Sequence, residues 1–350
     1  MRTLLLLALA GCASDAPDTS STAAVDTADA SGQDSADTAA TDTADTDTGD
    51  TSVVDTADSG DTGPTALDPY SLADEVSSAE IEATITDLAA IGTRYTFTDG
   101  DEAARDYLVD RFTDLGLVAE LDPFDVSGTE ANNILVVVPG TVTPETVFVF
   151  SAHYDSTSDD AMNFAPGADD NASGVAAVLE AARLVAAHPL TSTAWFVLTA
   201  AEEQGSLGSA HLADAWVDDG VDVRGVIAPD MMGYWPLGEG DAFDILGDAG
   251  SEPLVEQMSG VADSLGVANK PWIHHDYCYG DDHTNYQEAG FPALSPMDCV
   301  EAHNVRSSGE DTPHYHRTTD TVDTLNLAFT TQVTAVTVVT FASWVQPLEP

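Results

Sequence analysis

The sequence predicts a single α/β domain in three layers, a mostly parallel mixed β-sheet with helices on both faces. Two observations point there. Short β-branched apolar runs alternate along the chain with longer segments of helical apolar spacing, the order that crossover connections require. The segments rich in histidine and carboxylate follow those apolar runs or stand in loops, as expected where sites form outside the carboxyl ends of strands.

Composition divides the 350 residues into three stretches. Residues 1–12 read as a sorting signal: Arg2, then an apolar run from Thr3 to Ala10 that is too short to span a bilayer. Leu9-Ala10-Gly11-Cys12 is similar to the bacterial lipoprotein signal, which implies a lipid anchor at Cys12 and an extracytoplasmic, membrane- or surface-attached protein, with plain secretion as the alternative. Residues 13–68 are Asp, Thr, Ala and Ser in repeating units such as Asp42-Thr43-Ala44-Asp45. A segment with so little to bury is expected to be disordered, and its like charges to keep it extended as a stalk. The folded domain is expected over 69–350. Beyond the signal no stretch is expected to reach transmembrane length, so membrane contact would be through the anchor alone.

Within the domain, apolar spacing predicts helices over Ser78–Ile91 (Ile81, Ile85, Leu88) and Asp101–Leu115 (Ala104, Leu108, Phe112), the second ended by Gly116. Ile134–Val138 and Thr146–Phe150 read as strands separated by Pro139-Gly140 and Pro144. Gly174–Ala187 reads as a helix, Thr193–Leu198 and Val221–Ile227 as buried strands, and Phe243–Leu246 as a short strand. Pro253–Leu265 is helical, Ala293–Pro296 a strand, and Leu327–Trp344 a closing helix.

Sixty-one acidic against nine basic residues give a formal charge of −52, and Lys270 is the only lysine. A surface of that sign repels phosphate backbones, which excludes nucleic acid as a partner. Among three cysteines, Cys12 belongs to the signal, leaving Cys278 and Cys299 as a possible disulfide or as two buried thiols.

Five segments carry the chemistry. They are Ser151-Ala152-His153-Tyr154-Asp155, Ala168-Asp169-Asp170-Asn171, Ala201-Glu202-Glu203-Gln204, Pro229-Asp230-Met231 and His314-Tyr315-His316-Arg317. Mixed imidazole and carboxylate ligation suits a catalytic zinc site, and two ions about 3.5–4 Å apart can hold one hydroxide and one substrate carbonyl oxygen together. Adjacent Glu202 and Glu203 at a strand end can serve one as base and one as ligand. Asp155 stands where it can orient His153, and Asp320 where it can support His316.

In their order and spacing these segments resemble the zinc aminopeptidases of metallopeptidase family 28. The resemblance runs from about Ala79 to the C-terminus and includes Gly92-Thr93-Arg94 and Ala103–Leu108. It implies the zinc-peptidase (phosphorylase/hydrolase-like) fold, two Zn2+ ions, and release of N-terminal residues from peptide substrates. Carried over motif by motif, His153 and Asp230 would bind one ion and Glu203 and His316 the other. Asp169 would bridge them, with a cis bond to Asp170, and Glu202 would be the general base. Asp281 in Gly280-Asp281-Asp282-His283 replaces the family's usual serine, and the oxyanion-holding tyrosine has two candidates, Tyr277 and Tyr279. Arg317 follows His316 where small hydroxyl residues are common, and a cation there keeps a carboxypeptidase or dipeptidase open. Further alternatives are a glutaminyl cyclase and an inert surface binding protein. A monomer is expected.

Overall fold

The computed structural model describes residues 67–234, 242–273, 280–298 and 312–346. Cys12, Tyr277, Cys278, Tyr279 and Cys299 lie outside the described residues. A 3-10 turn over Pro69–Glu75 leads into α1 (Ser78–Ala90), whose first turn is capped by the Ser77 hydroxyl accepting from Glu80 N–H. α1 buries the stripe Ile81, Ile85, Leu88 expected from its spacing. α2 spans Asp99–Asp114. Then come β1 (Ala119–Val126), β2 (Thr129–Val138), β3 (Thr143–His153), α3 (Ala172–Val185), β4 (Ser192–Thr199), α4 (Leu207–Asp219) and β5 (Asp222–Ile227). β6 (Phe243–Gly247), α5 (Glu252–Leu265), β7 (Asn269–Ile273), α6 (Asp282–Glu288), β8 (Ala293–Met297) and α7 (Leu327–Val345) complete the order.

The strands form one eight-stranded sheet in the order β1-β2-β4-β3-β5-β8-β6-β7. Its centre is parallel, β4 with β3, β3 with β5 and β5 with β8, while β1/β2, β2/β4 and β6/β8 are antiparallel. This is the mixed α/β sheet anticipated from the alternation of elements. α1, α3, α5 and α7 pack together on one side, and α4 contacts α6 on the other. β4 is buried along its whole length, as a central strand covered on both faces must be.

Sequence reading passes over β1, β7, α4 and α6. β1 and β7 are the two edges of the sheet, and each carries a proline, Pro123 and Pro271. Proline cannot donate to a ladder, so it is tolerated at an edge and hides the strand pattern there. α7, at 19 residues, is long and apolar enough to cross a bilayer, contrary to the expectation that no stretch would be. It packs into the core instead, burying Val333, Val336 and Phe341. Its threonines interrupt the hydropathy but return their hydroxyls to the helix, Thr340 Oγ1 to the Val336 carbonyl and Thr331 Oγ1 to that of Leu327.

Candidate metal centre

His153 ends β3 and stands in register with Thr199, the last residue of β4, so the two strands deliver their following loops side by side. The β4 loop carries Glu202 and Glu203, and the loop after neighbouring β5 carries Asp230. Asp170 sits in the turn before α3, next to a cis Asp170–Asn171 peptide. His316 comes from the loop before α7. Five segments far apart in sequence thus meet at the carboxyl end of the parallel strands.

Two triads result. His153 Nε2 lies 3.3 Å from Asp170 Oδ1 and 3.5 Å from Asp230 Oδ1. His316 Nε2 lies 3.4 Å from Asp170 Oδ2 and 3.0 Å from Glu203 Oε2. Each group of three ligand atoms fits within 4.8 Å, and Asp170 belongs to both through its two different oxygens. The donor set is what zinc prefers. His153 Nε2, Glu203 Oε1 and Asp230 Oδ1 are buried without a hydrogen-bond partner. Buried polar atoms without partners are costly unless a cation gathers them. The residues present therefore fit the metal.

The shared carboxylate corrects one expectation. Asp169 was expected to bridge, with the cis bond between it and Asp170; the structure moves both features one residue on. Asp169 turns away, and its carboxylate accepts from Gly233 N–H at 2.6 Å and Tyr234 N–H at 3.2 Å. It ties the bridging turn to the loop that carries Asp230. Adjacent acids differ only in which way the turn points them, and that direction is not written in their side chains.

The supporting atoms are specific. Asp320, expected near His316, accepts instead from Asp169 N–H at 2.9 Å and Asp170 N–H at 3.1 Å, holding the bridging turn from behind. Burial pushes Asp320 up to about 7 despite those two N–H groups. The Asp155 carboxylate accepts from Glu202 N–H (3.0 Å) and Glu203 N–H (3.2 Å), so it shapes the turn bearing both glutamates. Its backbone oxygen is 3.3 Å from His153 Nδ1, and its carboxylate is 3.6 Å away. Asn171 accepts from Gly174 N–H and donates to the Pro229 carbonyl, both at 2.9 Å.

Two further residues went unrecognised in the sequence. Arg94 is fully buried and donates to the Tyr154, Pro166 and Gly167 carbonyls at 2.7, 2.6 and 2.9 Å, pinning the loops after His153 and before Asp169. Tyr315 stacks on the His316 ring with centroids 3.7 Å apart. Burial, then Asp170, Glu203, Asp230 and Glu202, push its phenol well up, which places it among the acids of the site. Gly-Thr-Arg and His-Tyr-His were both visible in the sequence, but no spacing rule says what an arginine or a tyrosine there will touch. Arg317 is exposed, 3.9 Å from Asp159. His283 Nδ1 lies 3.1 Å from Asp281 Oδ2.

Charge is arranged for a cation. Burial alone would lower His316, but Asp170 and Glu203 raise it to about 10. Burial would likewise lower His153, and Asp230, Asp155 and Asp170 carry it well above the usual imidazole range. Burial would raise Asp170, but the two histidines hold it below the ordinary carboxylate range. Loss of solvation raises Glu203 to about 7, and raises Glu202 well above its ordinary value against the pull of His153. Ala201 (φ 58°), Met231 (φ 46°) and His316 (φ 53°) are left-handed, each at or beside a residue of the site. Such strain persists where surrounding contacts over-determine the backbone.

Fold and donor set together define an α/β domain with a candidate metal centre at the carboxyl end of its parallel strands. The chain belongs to Peptidase family M28, whose profile it matches over residues 133–341. Among curated relatives it is 31% identical over 280 residues to a probable zinc metalloprotease of Pyrenophora teres f. teres, covering 64% of this chain and 57% of that protein. A probable zinc metalloprotease of Pyricularia oryzae is 36% identical over 181 residues, covering 45% and 36%. The chain thus spans little more than half of the first of these relatives. Among solved structures, the Legionella pneumophila LapA aminopeptidase superposes with a TM-score of 0.68 at 22% identity, covering 83% of this chain and 79% of that one. BSAP, a zinc aminopeptidase from Bacillus subtilis, gives 0.67 at 15%, covering 78% and 96%. A Porphyromonas gingivalis glutaminyl cyclase gives 0.62 at 20%, covering 78% and 100%. These likenesses show a shared fold.

Proposed function

We propose that this protein is a two-zinc exopeptidase that removes N-terminal residues from peptides, with Glu202 as general base. The observation that carries the reading is Asp170: its Oδ1 faces His153 and Asp230, and its Oδ2 faces His316 and Glu203. One carboxylate serving two triads is the arrangement a pair of ions needs. His153, Asp170 and Asp230 would hold one zinc and Asp170, Glu203 and His316 the other; bound there, the ions supply positive charge that acidifies a water and polarises the scissile carbonyl. Glu202, next to ligand Glu203 and desolvated, takes the proton from the attacking water and gives it to the leaving amine. Tyr315, whose ring stacks on His316, is assigned as the donor toward the developing oxyanion. The named aminopeptidases of like fold support the exopeptidase reading.

Arg317 favours a second reading, in which a substrate carboxylate is met by this exposed guanidinium beside His316, giving a carboxypeptidase or dipeptidase. The experiment is metal analysis of the purified protein together with hydrolysis of aminoacyl-arylamides, C-terminally blocked peptides and free-carboxyl dipeptides. Two zincs per chain and chelator-sensitive release of N-terminal residues are expected, with Glu202→Gln keeping its zinc and losing nearly all turnover. Cleavage confined to substrates with a free carboxyl end moves the assignment to the second reading, and cyclisation of N-terminal glutamine without peptide hydrolysis moves it to a glutaminyl cyclase.

We also propose an extracytoplasmic location, with Cys12 lipidated and residues 13–68 as the stalk; the support is the Leu9–Cys12 motif and the acidic composition that follows it. Detergent phase partitioning tests this. The full chain should enter the detergent phase and Cys12→Ser should leave it.

A further inference from the structure

Glu202 has two carboxylate oxygens, and the protein treats them differently. Oε1 accepts a hydrogen bond of 2.8 Å from the Ser206 hydroxyl. No hydrogen bond from the described residues reaches the other oxygen. Ser206 is buried, 4% exposed, and it is the N-cap of α4. A serine at that position ordinarily turns its hydroxyl to the free N–H groups of the first helical turn. Here it makes no capping bond, and its backbone is left-handed at φ 53°. A non-glycine residue in that region costs about 1 kcal/mol or more. With the cap forgone, Oγ is turned towards Glu202 and the Gly280 carbonyl instead.

The same oxygen lies 3.1 Å from the Gly280 carbonyl. A hydroxyl has one proton, so Ser206 can serve Glu202 or Gly280 but not both at once. The serine itself is anchored on its other side, since its carbonyl accepts from Asn285 Nδ2 at 2.8 Å. Asn285 Nδ2 is also 2.8 Å from Ser209 Oγ.

We propose that Ser206 is a positioning residue for the general base: its hydroxyl holds Oε1 of Glu202 so that the other oxygen is presented to the attacking water. The inference rests on the reading of Glu202 as the base. When Glu202 is a carboxylate, a charge-assisted bond to Ser206 fixes its rotamer. When Glu202 takes up the water's proton on its free oxygen, Oε1 becomes a weaker acceptor and the Ser206 proton turns to the Gly280 carbonyl. It turns back as Glu202 releases its proton to the leaving amine. Ser206 keeps its own proton throughout: it serves Oε1 while Glu202 is a carboxylate and the Gly280 carbonyl while Glu202 is protonated.

The test compares Ser206→Ala and Ser206→Gly with the wild type on an aminoacyl-arylamide that the wild type cleaves, and measures thermal stability of the metal-free proteins. Both variants lose the hydroxyl, but glycine also relieves the left-handed strain. Both are expected to lower kcat about tenfold, the size of a lost charge-assisted hydrogen bond. KM should stay unchanged, and the glycine variant should melt above the alanine variant. In a stability cycle with Glu202→Ala on metal-free protein, the two sites should be coupled rather than additive. Wild-type kcat in either variant, a loss carried by KM, or a kcat that rises and falls with melting temperature overturns the proposal, as do additive stabilities. The two readings fail separately. Wild-type turnover in Glu202→Gln sinks the base assignment and this role with it. Coupled stabilities alongside an unchanged Ser206→Ala kcat sink the positioning role alone.

Discussion

Asp169 and Asp170 are chemically equivalent neighbours, and the turn before α3 sends one to a pair of backbone N–H groups and the other between two histidines. Asp170→Asn should therefore lose bound metal and lower turnover by more than the roughly 10–100-fold that losing an outer partner of a metal ligand costs. Asp169→Asn keeps an oxygen for Gly233 N–H and should retain full metal content, with a smaller loss of activity and a lower melting temperature. Metal analysis on the two variants separates them; equal metal loss would mean that Asp169 also binds. Away from the site, Asp101 is buried in the first turn of α2 with Oδ1 unpartnered. Burial, with Asp155 adding to it, raises its carboxyl to about 8. A folded value raised above the unfolded one means the native state holds the proton more tightly, so stability falls as pH rises from about 4 towards 8. Asp101→Asn should thus stabilise the protein more at pH 8 than at pH 5, read as the difference in denaturant midpoints; a pH-independent effect would remove the titration from the account.

At the scale of elements, the site depends on how closely α3 approaches the end of β5. Gly174, in the first turn of α3, has no side chain, and a Cβ there would come within 2.4 Å of Asn171 Oδ1 and 2.7 Å of the Pro229 carbonyl. Those two atoms belong to the loops that carry Asp170 and Asp230. Gly174→Ala, although it would favour a free helix, should destabilise the domain by about 2 kcal/mol through overpacking. It should also weaken metal binding, because the strain falls between the turns of Asp170 and Asp230. A variant of wild-type stability and metal affinity would show that the two loops can separate without cost. The central strands β3 and β4 are legible in the sequence as apolar runs, β4 because both its faces are covered, whereas Asp222 and the exposed Arg224 interrupt β5. The edges β1 and β7 are not legible, because solvent, proline and charge obscure the alternation that would mark them.

For the whole molecule, charge and metal are one problem. The carboxylates at the site repel one another, and in the absence of a cation protons take its place: His316 is raised to about 10 and Glu203 to about 7. Metal must displace those protons, so affinity should rise with pH, by about tenfold per unit for each proton released. Zinc competition against a chelator at pH 6 and pH 8, with proton release followed by calorimetry in two buffers, measures this directly. An affinity flat across that range would mean that the ligands are already deprotonated in the metal-free protein.

The sequence by itself determined the α/β class, because hydrophobic period and strand–helix alternation are local properties that survive without a fold. It also singled out the five segments that the structure brings together, because their order and spacing, rather than any one of them, form a pattern. Only the tertiary structure decided that Asp170 rather than Asp169 lies in both triads, that Asp155 and Asp320 hold the turns of Glu203 and Asp170, and that Arg94, Tyr315 and Ser206 contact Tyr154, His316 and Glu202. Those assignments depend on where a backbone turn points a side chain. That direction is set by contacts between loops distant in sequence, and no local pattern encodes it.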